Sequence, residues 1–276
     1  MAMGNILQDN TKSGDFAITP HVPNCSTCTT RHLSICAALE QDELLIFDHV
    51  VQHRGFPAKT VLFDQGSKAD FVFSVSDGTI RLFRLLPDGR RQIIGFAIKG
   101  DFLGVAMDEV HEYSAEAVDQ IRVCRIPRVT FAAMLDEKPH LLKKLHQLAG
   151  REIHNSQEQI VLLGRKNAEE RVAAFLLSFR ERLAKLATRS VTIPLPMSRQ
   201  DIADYLGLTI ETVSRTISKL ARDKLIVVPT VSVFWMLNGW SALRMDRQPP
   251  SGRCRSRLAL PYSLFGTKFF LFRASA

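Results

Sequence analysis

The tightest restriction on this chain lies between Ser198 and Leu220, in the string SRQDIADYLGLTIETVSRTISKL. Ser198 followed by Asp201 is a capping-box variant, in which side chain and backbone satisfy each other at a helix start. Ile202, Ala203 and Leu206 give that helix an apolar face, and Gly207 suits the left-handed conformation that ends it. Thr209 then caps a second helix after a turn of about three to four residues, which is the helix-turn-helix layout. In the second helix Ile210, Val213, Ile217 and Leu220 fall on one side and are expected to be buried. Glu211, Thr212, Ser214, Arg215 and Ser218 are then left facing outward.

That outward face carries the chemistry of base reading. A carboxylate accepts from cytosine N4, and a guanidinium grips guanine O6 and N7. Glu211 and Arg215 are four residues apart, so they are expected to steady each other as an ion pair. The plainer alternative is a helical hairpin whose Glu–Arg pair is a solvated surface bridge.

The rest of the chain must build the domains that present this motif. With 276 residues, 46% hydrophobic and 23% charged, it has the composition of a globular protein with room for two cores. No apolar run is long enough to suggest a membrane span, and the start lacks the pattern of a secretory signal, so a cytoplasmic protein is expected. The net charge of +8 is unevenly spread: Thr230 to Ala276 holds seven basic residues and one acidic residue. Global basicity therefore says little about DNA, and the local motif has to carry that reading.

Residues 1–24 read as a polar leader, and Leu39 to Val50 as a short helix. From Val61 to Ile126 short apolar runs alternate with Asp-Gly and similar turns, the texture of an antiparallel sandwich or barrel. Pro127 marks the change to helix. His146, Ala149, Ile153, Ser156, Ile160 and Leu163 then follow the three-four spacing of a coiled-coil seam. The alternative for that stripe is a face packed on the chain's own core. A further helix is expected from Ala168 to about Leu186.

Five cysteines are present, Cys25, Cys28, Cys36, Cys124 and Cys254. An odd, clustered set in a cytosolic protein points to metal or redox chemistry rather than a disulfide framework. Three thiols near the N-terminus and one about ninety residues later suit a [4Fe–4S] cluster. They suit structural zinc as well, and unligated thiols are a third reading. The spacing alone leaves all three open.

The string YLGLTIETVSRTISKL closely resembles the recognition motif of the CRP/FNR transcription regulators, in the FNR branch. GRKNAEERVAAFL is similar to the hinge of that branch, and the β-rich segment resembles its β-roll. The resemblance spans roughly Cys25 to Val228. It implies an α+β fold: a cyclic-nucleotide-binding-like β-roll sensory domain, a long dimerisation helix and a C-terminal winged helix-turn-helix. The expected boundaries are 1–24, 25–126, 127–164, 165–233 and an atypical basic tail at 234–276. The resemblance also implies that Glu211, Ser214 and Arg215 read a TTGAT…ATCAA-like palindrome as a homodimer, with RNA polymerase as a further partner.

The same resemblance bears on the thiols. The branch carries an N-terminal cysteine triad and a cysteine in a C-x-I-P context, here Cys124-Arg125-Ile126-Pro127. It implies a [4Fe–4S] cluster on Cys25, Cys28, Cys36 and Cys124, with oxygen returning the dimer to an inactive monomer and with genes of microaerobic life or nitrogen fixation as targets. The branch often has an acidic residue near the position of Ser156, which is neutral here. Other readings are a regulator with zinc or plain thiols and, in a different class, a cytosolic zinc-binding interaction module.

A cyclic nucleotide is not expected: that alternative needs an Arg-Ser/Thr pair for the phosphate and a glutamate for the ribose, and the corresponding places read Tyr113-Ser114-Ala115 and Phe102-Leu103-Gly104-Val105. No metalloenzyme, nucleophile-elbow or phosphate-loop pattern occurs, so no enzyme is expected. The histidines are expected to be surface or core residues. After about Thr230 the pattern of a winged domain is lost, and the remainder reads as a frameshift product or a divergent extension. Cys254 is then a spare thiol.

Overall fold

In a computed structural model of the chain, residues 25–106, 108–186, 192–227 and 232–235 are described. The leader at 1–24, the tail beyond Trp235 and Cys254 lie outside the described residues. Two short 3-10 turns, Cys25–Thr27 and Ile35–Ala38, lead into helix α1 (Gln41–Val50). Strands β1 (Gln52–Phe56), β2 (Val61–Phe63), β3 (Phe71–Asp77), β4 (Thr79–Leu85), β5 (Arg91–Ile98), β6 (Phe102–Leu103), β7 (Ser114–Ala117) and β8 (Ile121–Pro127) follow. Then come α2 (Arg128–Glu137), α3 (Pro139–Arg165), α4 (Ala168–Ala184), β9 (Thr192–Pro194), α5 (Arg199–Leu206), α6 (Ile210–Arg222), β10 (Ile226–Val227) and β11 (Ser232–Trp235).

The strands form two four-stranded antiparallel sheets, ordered β1-β8-β3-β6 and β2-β7-β4-β5. Their inner faces meet in a core that includes Phe73, Val75, Ile80, Leu82, Ile121 and Val123. Asp-Gly turns set the hairpins. Between β3 and β4, Gly78 has φ +81°, and a Cβ there would lie 2.5 Å from the Gln120 carbonyl oxygen, so only glycine fits. Gly89 plays the same conformational part between β4 and β5, where the Leu86 amide donates to the Arg90 carbonyl at 2.8 Å.

A second core lies where the cysteine loop, α1 and α2 pack on the first turns of α3. Ile35, Phe47, Ile126, Phe131, Leu141 and Leu145 are buried together there with Cys25 and Cys124. The helical stretch expected at 127–164 is two helices rather than one. Pro139 occupies the first turn of α3, where its missing amide costs nothing, and Lys138 before it is held out of the helical region.

The C-terminal part shows the predicted capping. Ser198 Oγ accepts from the Asp201 amide at 3.0 Å, and Asp201 accepts from the Ser198 amide. Gly207 ends α5 at φ +60°. Thr209 Oγ1 accepts from the Thr212 amide at 3.2 Å to open α6. A three-stranded sheet, β10-β11-β9, flanks the helices as the wing. Its last described strand runs to Trp235, two residues past the expected boundary at 233.

Candidate functional site

Strand pairing brings the cysteines together. The register of β1 on β8 puts His53 directly opposite Cys124, and Cys124 turns into the core that the loop carrying Cys25 and Cys36 covers. All four N-terminal-half thiols are free. Burial, then Asp48 and the neighbouring Cys36 and Cys124, push the Cys25 thiol above the ordinary range. Burial raises Cys36 to about 11, with Cys28 adding to the effect. Burial raises Cys124 to about 12, and Cys36 and Cys28 push it further in the same direction. Cys25, Cys36 and Cys124 meet in one core, while Cys28 sits on the same loop with its Sγ 3.0 Å from Thr30 Oγ1.

Two polar residues lie beside Cys25 and Cys124. The Cys25 amide donates to Asp48 Oδ1 at 3.0 Å. Burial disfavours the Asp48 carboxylate, but its bonds to Cys25 and the neighbouring His53 outweigh this and hold it below the usual range. His53 Nδ1 lies 3.5 Å from Cys124 Sγ. Neither Asp48 nor His53 was singled out by sequence reasoning, which grouped the histidines as surface or core residues. Only the non-local pairing of β1 with β8 reveals the contact.

The expected DNA-reading face lies on α6. Glu211, Arg215 and Ser218 are exposed, and Thr212 and Ser214 are partly so. Val213, Ile217 and Leu220 are buried as expected, whereas Ile210 is 38% exposed and Thr216 takes a buried place instead. Ile210 is the first helical residue, one step short of the packed face. The expected Glu211–Arg215 bridge is not among the ion pairs of the described residues; the charged pair formed is Lys219 Nζ to Glu169, at 2.6 Å. Arg215, Lys219 and Arg222 line a shallow groove beside the helix with Ser214 and Ser218.

The three-four stripe of α3 does not face the chain's own core. Ile153 is 61% and Ile160 70% exposed, His146 and Ser156 are exposed, and Ala149 and Leu163 are half-buried. The buried positions of α3 are Leu141, Leu145 and Leu162 instead.

Two family profiles match the chain: "Cyclic nucleotide-binding domain" over residues 53–138 and "Bacterial regulatory proteins, crp family" over residues 195–226. It is 46% identical over 211 residues to the nitrogen fixation regulation protein FixK of Bradyrhizobium diazoefficiens, covering 76% of this chain and 89% of the relative. It is 48% identical over 205 residues to the transcriptional activatory protein AadR of Rhodopseudomonas palustris, covering 74% and 86%. The chain belongs to the CRP/FNR family. The transcriptional activator protein FnrL of Cereibacter sphaeroides, 35% identical over 208 residues, places it with FNR-branch regulators. Its fold matches the structure of FixK2 from Bradyrhizobium japonicum, with a TM-score of 0.63 and 33% identity over 67% of this chain and 92% of that one.

Members of the CRP/FNR family are DNA-binding transcription regulators that dimerise, and the family is not a class of enzymes. In this CRP/FNR regulator no helix of the described residues is long and apolar enough to cross a membrane.

Proposed function

We propose that this regulator is an oxygen-responsive activator that binds a TTGAT…ATCAA-like palindrome as a homodimer, with Cys25, Cys28, Cys36 and Cys124 holding a [4Fe–4S] cluster. The observation that supports the reading is the gathering of Cys25, Cys36 and Cys124 in one core that rests on α3, with Cys28 on the same loop. Four cysteines, three of them gathered in one core, suit iron–sulfur ligation. When bound, such a cluster would supply the sensing chemistry, because oxygen degrades it.

In this reading the route from sensor to dimer runs along α3. The turn Ile35–Ala38, which carries Cys36, packs on Leu141, Leu145 and Leu148 of α3. Further along the same helix Ala149, Ile153, Ser156, Ile160 and Leu163, with His146, form the seam that meets a second copy. The seam is short and partly polar, so a few kcal/mol from an ordered cysteine loop suffices to shift the monomer–dimer balance. Ser156 adds no charge to it, and its hydroxyl donates to the Glu152 carbonyl at 2.9 Å.

In the dimer, Glu211, Thr212, Ser214, Arg215 and Ser218 of each α6 face a major groove, and symmetry matches the palindrome. Activation then brings RNA polymerase to the same promoter. No cyclic nucleotide is required: Tyr113, where an arginine would hold the phosphate, packs against Phe63. Low-oxygen metabolism, nitrogen fixation included, is the expected set of target genes in the cytoplasm.

The experiment is purification of the full chain without oxygen, with iron, sulfide and oligomeric state measured before and after air. Iron and sulfide in the proportion of one [4Fe–4S] cluster per chain, with a dimer that dissociates in air, is the expected result. Zinc in place of iron, or a dimer indifferent to air, overturns the oxygen mechanism and leaves the DNA-binding reading to stand alone.

A further inference from the structure

The cysteine site contains a second donor set that four thiols do not use. Asp48 from α1 and His53 from β1 reach the same pocket as Cys25, and one donor atom of each lies within 4.8 Å of the other two. His53 is the informative member. Its Nε2 is shut off from water and has no hydrogen-bond partner, which is costly unless something else binds that atom. Asp48 Oδ1 lies 3.6 Å from it, too far for a good hydrogen bond. A tetrahedral zinc ion with bonds of about 2.0–2.3 Å holds its donors roughly 3.3–3.8 Å apart. The His53–Asp48 separation of 3.6 Å falls within that range.

The surroundings already orient these donors. The Cys25 amide fixes one oxygen of Asp48. Cys124 Sγ sits 3.5 Å from Nδ1, on the far side of the imidazole from the orphaned Nε2. An outer partner on the second ring nitrogen is what sets the orientation of metal-bound imidazoles.

We propose that Cys25 Sγ, an Asp48 carboxylate oxygen and His53 Nε2 form a mononuclear site for a zinc-like divalent ion, with a fourth position open. The sulfur, oxygen and nitrogen set suits a borderline ion such as zinc, and excludes magnesium and calcium, which want oxygen alone. Cys28 and Cys36 take no part in it. Because Cys25 belongs to both sets, an ion in this site and a cluster on the four thiols exclude each other. Ion binding ties the first 3-10 turn to α1 and β1 and leaves Cys36, on the turn that touches α3, without a ligand role. The metal-binding claim stands apart from the cluster reading; only the competition between them rests on it.

The test is titration of the reduced, metal-free full chain with Co2+ alone, followed by thiolate-to-cobalt absorption and then by zinc displacement. One equivalent is expected to bind the wild type, Cys28→Ser and Cys36→Ser with the same affinity. His53→Gln and Asp48→Asn are expected to lose affinity by on the order of 100-fold or more, since losing even an outer partner of a metal ligand costs up to about that much. X-ray absorption of the cobalt form is expected to contain one sulfur and one imidazole. Circular dichroism checks that each variant folds, and the two variants are polar isosteres that carry the same prediction independently. Wild-type affinity in both His53→Gln and Asp48→Asn, or loss of cobalt in Cys28→Ser or Cys36→Ser, overturns the site. Reconstitution with iron and sulfide on the same proteins reads the cluster separately: it is expected to fail in Cys28→Ser and Cys36→Ser and to proceed in His53→Gln.

Discussion

Arg81 on β4 and Asp201 on α5 are 120 residues apart in sequence, and Arg81 Nη1 lies 3.0 Å from Asp201 Oδ1. Asp201 is the capping-box residue that starts the first helix of the helix-turn-helix, and it also accepts from Arg91 Nη2 at 3.1 Å. Arg81 is held in turn by Glu116, at 2.7 Å, and Arg91 by Asp204, at 3.0 Å. Phe96 of β5 meets Tyr205 of α5 and Phe175 of α4 beside this network. The residue that caps the DNA-binding motif thus also joins it to the sensory β-roll.

Asp201→Asn is expected to destabilise the protein by about 1–3 kcal/mol, because it removes a buried charge that two arginines and a helix N-terminus share. Urea unfolding measures this. Arg91→Gln, which leaves the cap intact, is expected to cost less. Equal losses in the two variants would mean that the cap contributes nothing.

Glu43 joins α1 to the start of α3, with Lys138 Nζ, just before that helix, at 2.8 Å and His140 Nε2, within it, at 2.9 Å. Burial pushes its carboxyl up, but Lys138, the Glu40 amide and His140 together bring it down to about 2. A depressed folded-state pKa contributes stability that is present above the ordinary carboxylate range and is lost as pH falls through it toward 2. Thermal unfolding of Glu43→Gln against wild type is expected to differ most at neutral pH, with the gap closing between about pH 4.5 and 2. A gap of constant size down to pH 2 would refute the assignment.

Arg215→Ala is expected to weaken binding to the palindrome by about 1–3 kcal/mol and to relax base preference at one position in each half-site. Lys219→Ala is expected instead to weaken all sequences alike and to lower the salt slope by about 1. Gel-shift titrations at several salt concentrations, on cognate and altered palindromes, separate the two. An Arg215→Ala protein with unchanged preference would remove that side chain from the reading role.

Ile160→Glu places a charge where the seam would bury it twice across a two-fold axis. Since Ile160 is already exposed in the single chain, the unfolding free energy of the monomer is expected to change little, by less than about 0.5 kcal/mol. Dimer formation is expected to be lost. Sedimentation velocity checks this, and an intact dimer would move the interface elsewhere.

Much of this protein was legible from local sequence because the governing interactions are local. The Ser198–Asp201 box, the left-handed Gly207 and the Thr209 cap each depend on residues within three or four positions, and all three form as the spacing predicts. The Asp-Gly turns between strands are equally local, since Gly78 is required by its own φ and by the carbonyl beside it. Ile210 and the unformed Glu211–Arg215 pair mark the limit of periodicity, which assigns a face but not where packing on that face stops.

Only the tertiary structure decided the surroundings of the thiols and the junction between the domains. His53 meets Cys124 because β1 pairs with β8 across 71 residues, and a shift of one residue in that register would turn its side chain to the opposite face. Asp48 joins them because α1 packs into the same core, and Arg81 finds Asp201 because the helix-turn-helix docks on the β-roll. Caps and turns are determined by neighbours along the chain. Donor sets and interdomain ion pairs are determined by which distant segments share a core, and no period in the sequence encodes that.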